Sequence, residues 1–212
     1  MTRGRFIAIE GGEGAGKSTQ ARLLAETLGT VGKECVVTRE PGGTPGAETI
    51  RSVLLDPPGE GWGARAEALL FAAARSDHVE KLILPSLERG AWVISDRYLD
   101  SSRAYQGGAG GVGDEAILAL HAIGSAGLRP NLTVLIEVDP ALVVSRLRER
   151  DGDSSDAIGG RGQAYHEAVA ASFRTFANAD PAGFALVDGN GSPEEVHRRV
   201  MDAVEPLLRG AQ

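Results

Sequence analysis

Cysteine is nearly absent from this chain of 212 residues, in which Cys35 is the single example. One thiol cannot form an internal disulfide, so a reducing compartment, the cytoplasm, is the expected location. Positive charge is also scarce, since 22 Lys and Arg residues stand against 29 Asp and Glu residues. The resulting formal net charge of −7 argues against a surface that binds nucleic-acid backbone or an anionic membrane.

Long apolar runs are missing as well. Nowhere do about eighteen apolar residues follow one another, and the N-terminal residues contain no apolar stretch of signal-peptide length. The sequence therefore predicts a soluble protein that does not enter a membrane. Its length suits one α/β domain, and we expect residues 1–212 to form that single domain.

A phosphate-binding loop is the clearest motif in the chain. Residues 11–19 read G-G-E-G-A-G-K-S-T, follow the apolar run at 6–9, and fit the pattern G-x-x-x-x-G-K-[ST]. The backbone N–H groups of such a loop hold a polyphosphate at the N-terminus of the next helix. Lys17 would reach the outer phosphates and Ser18 would coordinate Mg²⁺. The predicted ATP-binding residues are Gly11, Gly12, Glu13, Gly14, Ala15, Gly16, Lys17, Ser18 and Thr19.

Short apolar runs alternate with helical patterns along the rest of the chain. The predicted strands are residues 6–10, 35–38, 92–95, 133–138 and 184–187. Helical patterns cover residues 164–176 and the segment after Ser192, where Ser192 and Glu195 form a capping box and Pro193 suits the first helical position. This alternation predicts an α/β fold with a doubly wound, mainly five-stranded parallel sheet flanked by helices.

Two polar stretches are predicted as loops. Residues 107–113 are mostly glycine, and residues 151–163 have almost no apolar anchors. The second stretch is flanked by arginines and could close over phosphates as a lid of about residues 148–163, because phosphoryl transfer requires that water be excluded. An ordinary surface loop is the alternative for both stretches. The flanking arginines are Arg146, Arg148, Arg150 and Arg161.

The third predicted strand leads to a second group of polar residues. It ends in Asp96, the arrangement in which a carboxylate holds Mg²⁺ beside a phosphate-binding loop. Arg97 follows and could clamp an acceptor phosphate.

Phe71 and Arg75 are four residues apart on one predicted helical face. By spacing alone, a core aromatic beside a solvated charge is the simpler interpretation of this pair.

Several segments together resemble the bacterial thymidylate kinases, which transfer the γ-phosphoryl group of ATP to dTMP in dTTP biosynthesis. The segments are E-G-G-E-G-A-G-K-S-T, T-R-E-P-G-G-T, L-L-F-A-A-A-R, D-R-Y-L-D-S-S-R-A-Y-Q-G and V-D-P. The resemblance runs from residue 6 to about residue 165. It implies a P-loop kinase fold, ATP as phosphoryl donor, Mg²⁺ as cofactor and a homodimer. A kinase of other acceptor specificity, a P-loop switch protein and a weakened homologue that binds dTMP remain as alternatives.

The resemblance also implies roles for individual residues. Phe71 resembles the aromatic that stacks on thymine, and Tyr105 resembles the residue packed against the deoxyribose. Glu13 matches an acidic residue near the acceptor phosphate and, with Lys17 and Arg97, would contribute to catalysis. Ser18 and Asp96 would hold the metal. The implied dTMP-binding residues are Glu40, Arg51, Phe71, Arg75, Arg97, Ser102, Tyr105 and Gln106.

The predicted lid departs from the family pattern. The family usually carries Asp-Arg, an apolar residue and Glu ahead of an aromatic–His pair, which Tyr165-His166 represents here. Counting back, Ala157 stands at the usual arginine and Gly159 at the usual glutamate. Since an arginine at the transition state is typically worth ~10³ to 10⁵ in rate, transfer would be slow unless another arginine supplies the charge. The candidates are Arg161, Arg150 and Arg148.

Overall fold

Five strands form one sheet in the computed structural model of the chain. The structure describes residues 3–139, 142–143, 145–146 and 157–210. All strand pairs are parallel, and the strand order is β2-β3-β1-β4-β5. This confirms the predicted five-stranded parallel sheet, and each predicted strand end lies within one residue of the observed one. The strands are β1 Phe6–Glu10, β2 Cys35–Arg39, β3 Trp92–Asp96, β4 Leu132–Glu137 and β5 Phe184–Asp188.

Helices occupy most of the connections between these strands. A π-helical segment, Val79–Ile83, joins α3 to α4, and another, Arg103–Ala109, continues α5. The helices are α1 Lys17–Thr30, α2 Pro45–Leu55, α3 Ala64–His78, α4 Leu84–Glu88, α5 Leu99–Ser102, α6 Asp114–Ser125, α7 Gln163–Ala179 and α8 Pro193–Arg209.

Both faces of the sheet are covered, because successive side chains of a strand point to opposite sides. Ile7 and Ile9 of β1 pack on one face in a core that includes Leu24 of α1. Phe6 and Ala8 pack on the other face in a core built with α3, α5 and α6. This is the predicted doubly wound arrangement, and it explains why the strands are almost continuously apolar.

The capping box predicted for the last helix is present. The hydroxyl of Ser192 accepts a hydrogen bond from the backbone N–H of Glu195 at 3.3 Å, and the Glu195 carboxylate accepts from the Ser192 N–H at 2.8 Å. These bonds satisfy two of the free N–H groups of the first turn, which stabilises α8 by about 1 kcal/mol.

The glycine-rich segment 107–113 is not simply a loop, because its first residues continue a π-helix. Gly107 is buried, and a Cβ there would lie 3.2 Å from Cγ1 of Ile117 on α6. A Cβ on Gly108 would lie 3.4 Å from the Cβ of Ser172 on α7. The loop prediction was wrong for residues 107–109, since glycine here allows two helices to approach closely.

The fold brings the candidate site residues to one edge of the sheet. The phosphate loop follows β1, Glu40 follows β2, and Arg97 follows β3. The carboxyl ends of parallel strands share an edge, and the chain reverses its direction of winding around β1. Ligands of open α/β sheets bind in the crevice at such a reversal.

Candidate active site

One cavity at this edge is lined by six of the eight predicted dTMP-binding residues and by part of the phosphate loop. Its volume is about 270 Å³. Pro41 and Ser101, which belong to the segments that carry the resemblance, also line it, as do Leu55 and Ile158, to which no sequence signal pointed. The predicted residues in its wall are Glu13, Gly14, Lys17, Glu40, Arg51, Phe71, Arg97, Tyr105 and Gln106.

The phosphate loop has the left-handed backbone that its glycines allow. Gly14 has φ 68° and Gly16 has φ 87°, values that side chains with a Cβ adopt only under strain. Lys17 Nζ donates a hydrogen bond to the carbonyl oxygen of Gly12 at 2.6 Å, across the loop. Burial lowers the pKa of the Lys17 amine to about 8, so a bound phosphate would favour its charged form.

Ser18 and Asp96 meet at the start of α1. The Ser18 hydroxyl donates a hydrogen bond to the Asp96 carboxylate, which lies at the end of β3. Hydroxyl and carboxylate oxygens are suitable ligands for Mg²⁺. Among the described residues, no three His, Cys, Asp or Glu side chains converge as a metal cage. The other ligands of a magnesium ion here would be phosphate oxygens and water.

Arg97 lies between the phosphate loop and Tyr105, in the wall of the cavity. Its guanidinium donates hydrogen bonds to the carbonyl of Gly11 at 3.3 Å and to the Ser101 hydroxyl at 3.0 Å. It also lies 4.9 Å from the centre of the Tyr105 ring. Its backbone has φ 69°, which is uncommon outside glycine and is typical of functional turns. Arg97 is thus held where it can contact phosphate groups from either side.

Arg75 is buried at the back of the pocket, with 3% of its surface exposed. Its Nε donates to Glu40 at 2.7 Å, and one terminal nitrogen donates to the Ser102 hydroxyl at 2.8 Å and to the Tyr98 carbonyl at 3.1 Å. The interpretation of Arg75 as a solvated charge is therefore wrong. A guanidinium has five donors in a fixed plane, so Arg75 orients Ser102 beside the cavity. Ser102 and Arg75 lie behind the cavity wall rather than in it.

Glu40 joins Arg75 to a buried histidine. Nδ1 of His78 donates to the Glu40 carboxylate at 3.0 Å, and Nε2 of His78 lies 2.7 Å from the Thr38 hydroxyl. Burial alone would raise the pKa of Glu40, but Arg75 and His78 outweigh burial and hold that pKa below its usual value. Glu40 is therefore an anion in the wall of the cavity.

Two further residues that the resemblance implies for dTMP binding, Arg51 and Gln106, also line the cavity. The Arg51 guanidinium donates to the Pro41 carbonyl at 2.8 Å, which places it at the mouth between α2 and the loop after β2. Gln106 is 2% exposed, and its amide nitrogen donates to Glu67 at 2.9 Å. Together with Phe71, these residues surround a space that an aromatic ring and a phosphate could share.

Comparison with known proteins assigns the chain to a family. The family model described as Thymidylate kinase matches residues 9–200. A thymidylate kinase of Rhizorhabdus wittichii is 53% identical over 205 residues, which cover 97% of this chain and 99% of that protein. Thymidylate kinases of Rhodopseudomonas palustris and a Bradyrhizobium species are 47% and 43% identical, over 99% and 97% of the chain and 94% and 92% of their own lengths.

The chain belongs to the thymidylate kinase family. The resemblance predicted from the motifs is thereby confirmed, as are the P-loop kinase fold and the class of enzyme. The chain is an ATP-dependent nucleoside-monophosphate kinase, a phosphotransferase of nucleotide biosynthesis. Across the described ranges, the helices are too short or too polar to cross a lipid bilayer.

Residues 157–159, the first described residues of the predicted lid, lie against the cavity. The backbone N–H of Ala157 donates to the Leu55 carbonyl at 3.4 Å, and the side chain of Ile158 is buried in the cavity wall. A Cβ on Gly159 would lie 2.7 Å from Oε2 of Glu13. A side chain at position 159 would therefore displace the Glu13 carboxylate, which lies at the end of a flexible side chain.

The arginines that flank the predicted lid, of which Arg161, Arg150 and Arg148 are the catalytic candidates, are found in different surroundings. Arg161 donates hydrogen bonds to Glu67 and, at 2.6 Å, to the hydroxyl of Tyr165, and it does not line the cavity. Arg146 donates to the Gly14 carbonyl of the phosphate loop at 3.4 Å. Arg148 and Arg150 lie outside the described residues. The assignment of a catalytic lid arginine stays a prediction.

Sequence reasoning missed Glu10, the last residue of β1. Its buried carboxylate accepts from the N–H of Tyr98 at 2.8 Å and from the N–H and hydroxyl of Ser101 at 3.1 and 2.6 Å. Burial, with the nearby Asp100 charge, raises its pKa to about 7. Glu10 thus fixes the turn that carries Arg97. The available signal was an acidic residue ending a buried strand, as in Asp96.

Proposed function

We propose that this chain transfers the γ-phosphoryl group of ATP to dTMP, giving ADP and dTDP, with Mg²⁺ bound at Ser18 and Asp96. One observation carries the proposal. The phosphate loop and a pocket lined by Phe71 and Gln106 open into the same cavity, with Arg97 between them. Donor and acceptor phosphates bound at the two ends would meet beside Arg97.

The chain's own residues can perform the transfer by positioning and charge neutralisation, which is most of what phosphoryl transfer requires. Lys17 would contact the outer phosphates of ATP once it leaves the Gly12 carbonyl. Arg97 and Arg51 would hold the acceptor phosphate in line. Mg²⁺ held by Ser18 and Asp96 would stabilise the negative charge of the transferring phosphates. Arg148, Arg150 or Arg161 would add charge from the lid.

The acceptor pocket supports dTMP in particular. Phe71 can stack on a pyrimidine, while Arg75, Ser102 and Gln106 are the hydrogen-bonding groups near it. Tyr105, held by Arg97 above the pocket, would pack against the sugar and disfavour a 2′-hydroxyl. Glu40 would lie close to the sugar and the metal.

The remaining expectations belong to the same proposal. We expect residues 1–212 to act as one domain and to work in the cytoplasm, where ATP and dTMP are made and used. A homodimer is supported by apolar side chains that remain exposed on neighbouring helices, Leu69 of α3 at 56% and Ile123 of α6 at 84%.

Steady-state ADP release tests the proposal directly. The purified chain is assayed with ATP and Mg²⁺ against dTMP, dUMP, dCMP, dGMP, AMP and thymidine. We expect turnover with dTMP well above that with every other acceptor. Turnover led by another monophosphate would replace the acceptor assignment, and binding of dTMP without turnover would identify a non-catalytic homologue.

A further inference from the structure

Glu67 occupies a position that the proposed reaction does not yet use. It lies in the first turn of α3, one turn before Phe71, and is 6% exposed. One carboxylate oxygen accepts from the amide nitrogen of Gln106 at 2.9 Å, and the other accepts from Arg161. A buried carboxylate therefore connects a residue of the acceptor pocket to the lid segment.

The chemistry of this contact determines which end of the Gln106 amide faces a ligand. A carboxylate paired with an arginine has no proton to donate, so it can bind only the NH₂ end of a neighbouring amide. The carbonyl end of Gln106 is then the end left for the cavity. Among the residues that the structure describes, no donor meets that carbonyl oxygen.

A free carbonyl acceptor in a pyrimidine pocket discriminates between bases. Thymine and uracil carry an N3–H donor on their pairing edge, whereas N3 of cytosine is an acceptor. An acceptor opposite cytosine N3 would leave two lone pairs facing each other in a buried site, and sites that depend on a matched hydrogen bond reject such analogues strongly.

We propose that Glu67 is a positioning residue that sets the specificity of the acceptor pocket: it holds the Gln106 amide so that its carbonyl oxygen receives the N3–H of the base. Glu67 itself touches no substrate. The inference rests on the proposed dTMP kinase activity and names the group that selects the pyrimidine.

Arg161 makes the proposal sharply testable, because a guanidinium can only donate. In Glu67→Gln, the new amide must turn its carbonyl toward Arg161 and its NH₂ toward Gln106. Gln106 would then invert, presenting its NH₂ to the cavity, where cytosine N3 could accept. The substitution keeps size and shape and reverses the direction of the hydrogen bonds.

The test compares kcat/KM for dTMP and dCMP in the wild-type chain and in Glu67→Gln. We expect the dTMP to dCMP ratio to fall about tenfold to a hundredfold, mainly through a higher KM for dTMP, with KM for ATP unchanged. Dissociation constants for dTMP from calorimetry should rise in parallel. Glu137→Gln is the matched control, since Glu137 also pairs with an arginine but is far from the cavity.

The double variant Glu67→Gln/Gln106→Glu provides a rescue. A carboxylate at position 106 can only accept, so the NH₂ of the amide introduced at position 67 would bind it and an acceptor would again face the base. We expect the dTMP preference to return in part, which loss of a merely structural contact would not produce. Thermal melting checks that each variant is folded. If Glu67→Gln does not fold, Glu67→Asp retracts the carboxylate from Gln106 and should lower the ratio too.

The experiment distinguishes failure of the proposed function from failure of the proposed role of Glu67. A wild-type chain that does not prefer dTMP would overturn the proposed function. A wild-type chain that prefers dTMP, together with a folded Glu67 variant whose ratio stays within twofold of it, would overturn the role of Glu67 alone.

Discussion

The proposed acceptor side of the cavity, with Glu40 and Arg75, and the proposed donor side, with Lys17 and Ser18, are built differently. On the acceptor side, Arg75 and His78 are buried and each pairs with the buried Glu40 carboxylate, so folding completes their arrangement. On the donor side, Lys17 bonds to a loop carbonyl and Ser18 bonds to Asp96. A nucleotide and its metal would replace both of these donor-side contacts.

This difference separates two kinds of functional residue. Arg75, Glu40 and His78 belong to the folded core, so we expect that changing one would lower stability and, if they support the acceptor pocket, dTMP binding as well. Donor-side groups exchange their protein contacts for ligand contacts, so changing one should remove activity and leave the fold intact. Substitutions on each side therefore test whether the two sides differ in how far they affect stability and activity.

The largest effect on activity is expected from Lys17→Ala on the donor side. Loss of the amine removes the charge that faces the transferring phosphates, and kcat should fall roughly 10² to 10³-fold or more. Because burial already disfavours the Lys17 charge, its removal should not lower the melting temperature. ADP release and thermal melting measure the two effects.

Lys81→Ala is the control for this variant, since Lys81 is exposed and pairs with Asp77 away from the cavity. It should keep full activity. Near-normal turnover in Lys17→Ala would refute the role of the loop, and a lower melting temperature would show that the donor side also supports the fold.

Arg75→Met on the acceptor side should lower stability and activity together. The change leaves Glu40 buried without its guanidinium partner, which typically costs about 3 to 5 kcal/mol. Urea unfolding measures the loss, and KM for dTMP should rise because Ser102 is no longer oriented. Arg174→Met is the control, since the Arg174–Glu137 pair is largely exposed and contributes little.

A loss below about 1 kcal/mol in Arg75→Met would mean that His78 alone satisfies Glu40. The double variant Arg75→Met/Glu40→Gln then completes the argument. It removes the buried charge along with its partner and should recover part of the lost stability.

Glu10, at the end of β1, should make stability depend on pH. The native carboxyl group keeps its proton up to a pKa of about 7, above the ordinary value of 4.5. Between these values the native state binds more protons than the unfolded state, so stability falls as pH rises, by at most about 3 kcal/mol.

Urea unfolding of the wild-type chain and Glu10→Gln between pH 5 and 8 isolates this contribution. The difference between the two free energies of unfolding should change in favour of Glu10→Gln as pH rises. A difference that stays constant with pH would show that Glu10 is ionised throughout this range.

Much of the fold could be predicted from sequence because its signals are local. Apolar runs identified all five strands, and the capping box of α8 needs only Ser192 and Glu195. The phosphate loop was predicted for the same reason, since its residues are contiguous. The loop prediction was wrong at residues 107–109 because the same glycines that permit a loop also permit close helix packing.

The acceptor side was harder to predict, because it depends on contacts between distant segments. Arg75 meets Glu40 across 35 positions, and Glu67 meets Arg161 across 94. Spacing along α3 suggested a solvated arginine at position 75. Only the resemblance to thymidylate kinases pointed to base recognition there, and it gave no role to Glu67.

Arg161 joins Glu67 on the acceptor side to the predicted lid, and Arg161→Ala is expected to have the smallest effect. Its guanidinium is already bonded to Glu67 and Tyr165 and lies outside the cavity wall. We expect kcat to fall less than tenfold and KM for dTMP to rise a few-fold, because Glu67 loses the partner that holds it. KM for ATP should stay constant. Steady-state kinetics with each substrate varied separates the two parameters.

A large fall in kcat without a change in dTMP affinity would instead place Arg161 with the donor-side residues. If kcat falls by about 10³ or more while dTMP affinity is unchanged, Arg161 contributes only in the transition state. It would then have to leave Glu67 and reach the transferring phosphate during turnover. Glu67 would then bind Arg161 only in the unliganded state. Because Glu67 also contacts Gln106, movement of the lid would be coupled to binding of the acceptor base.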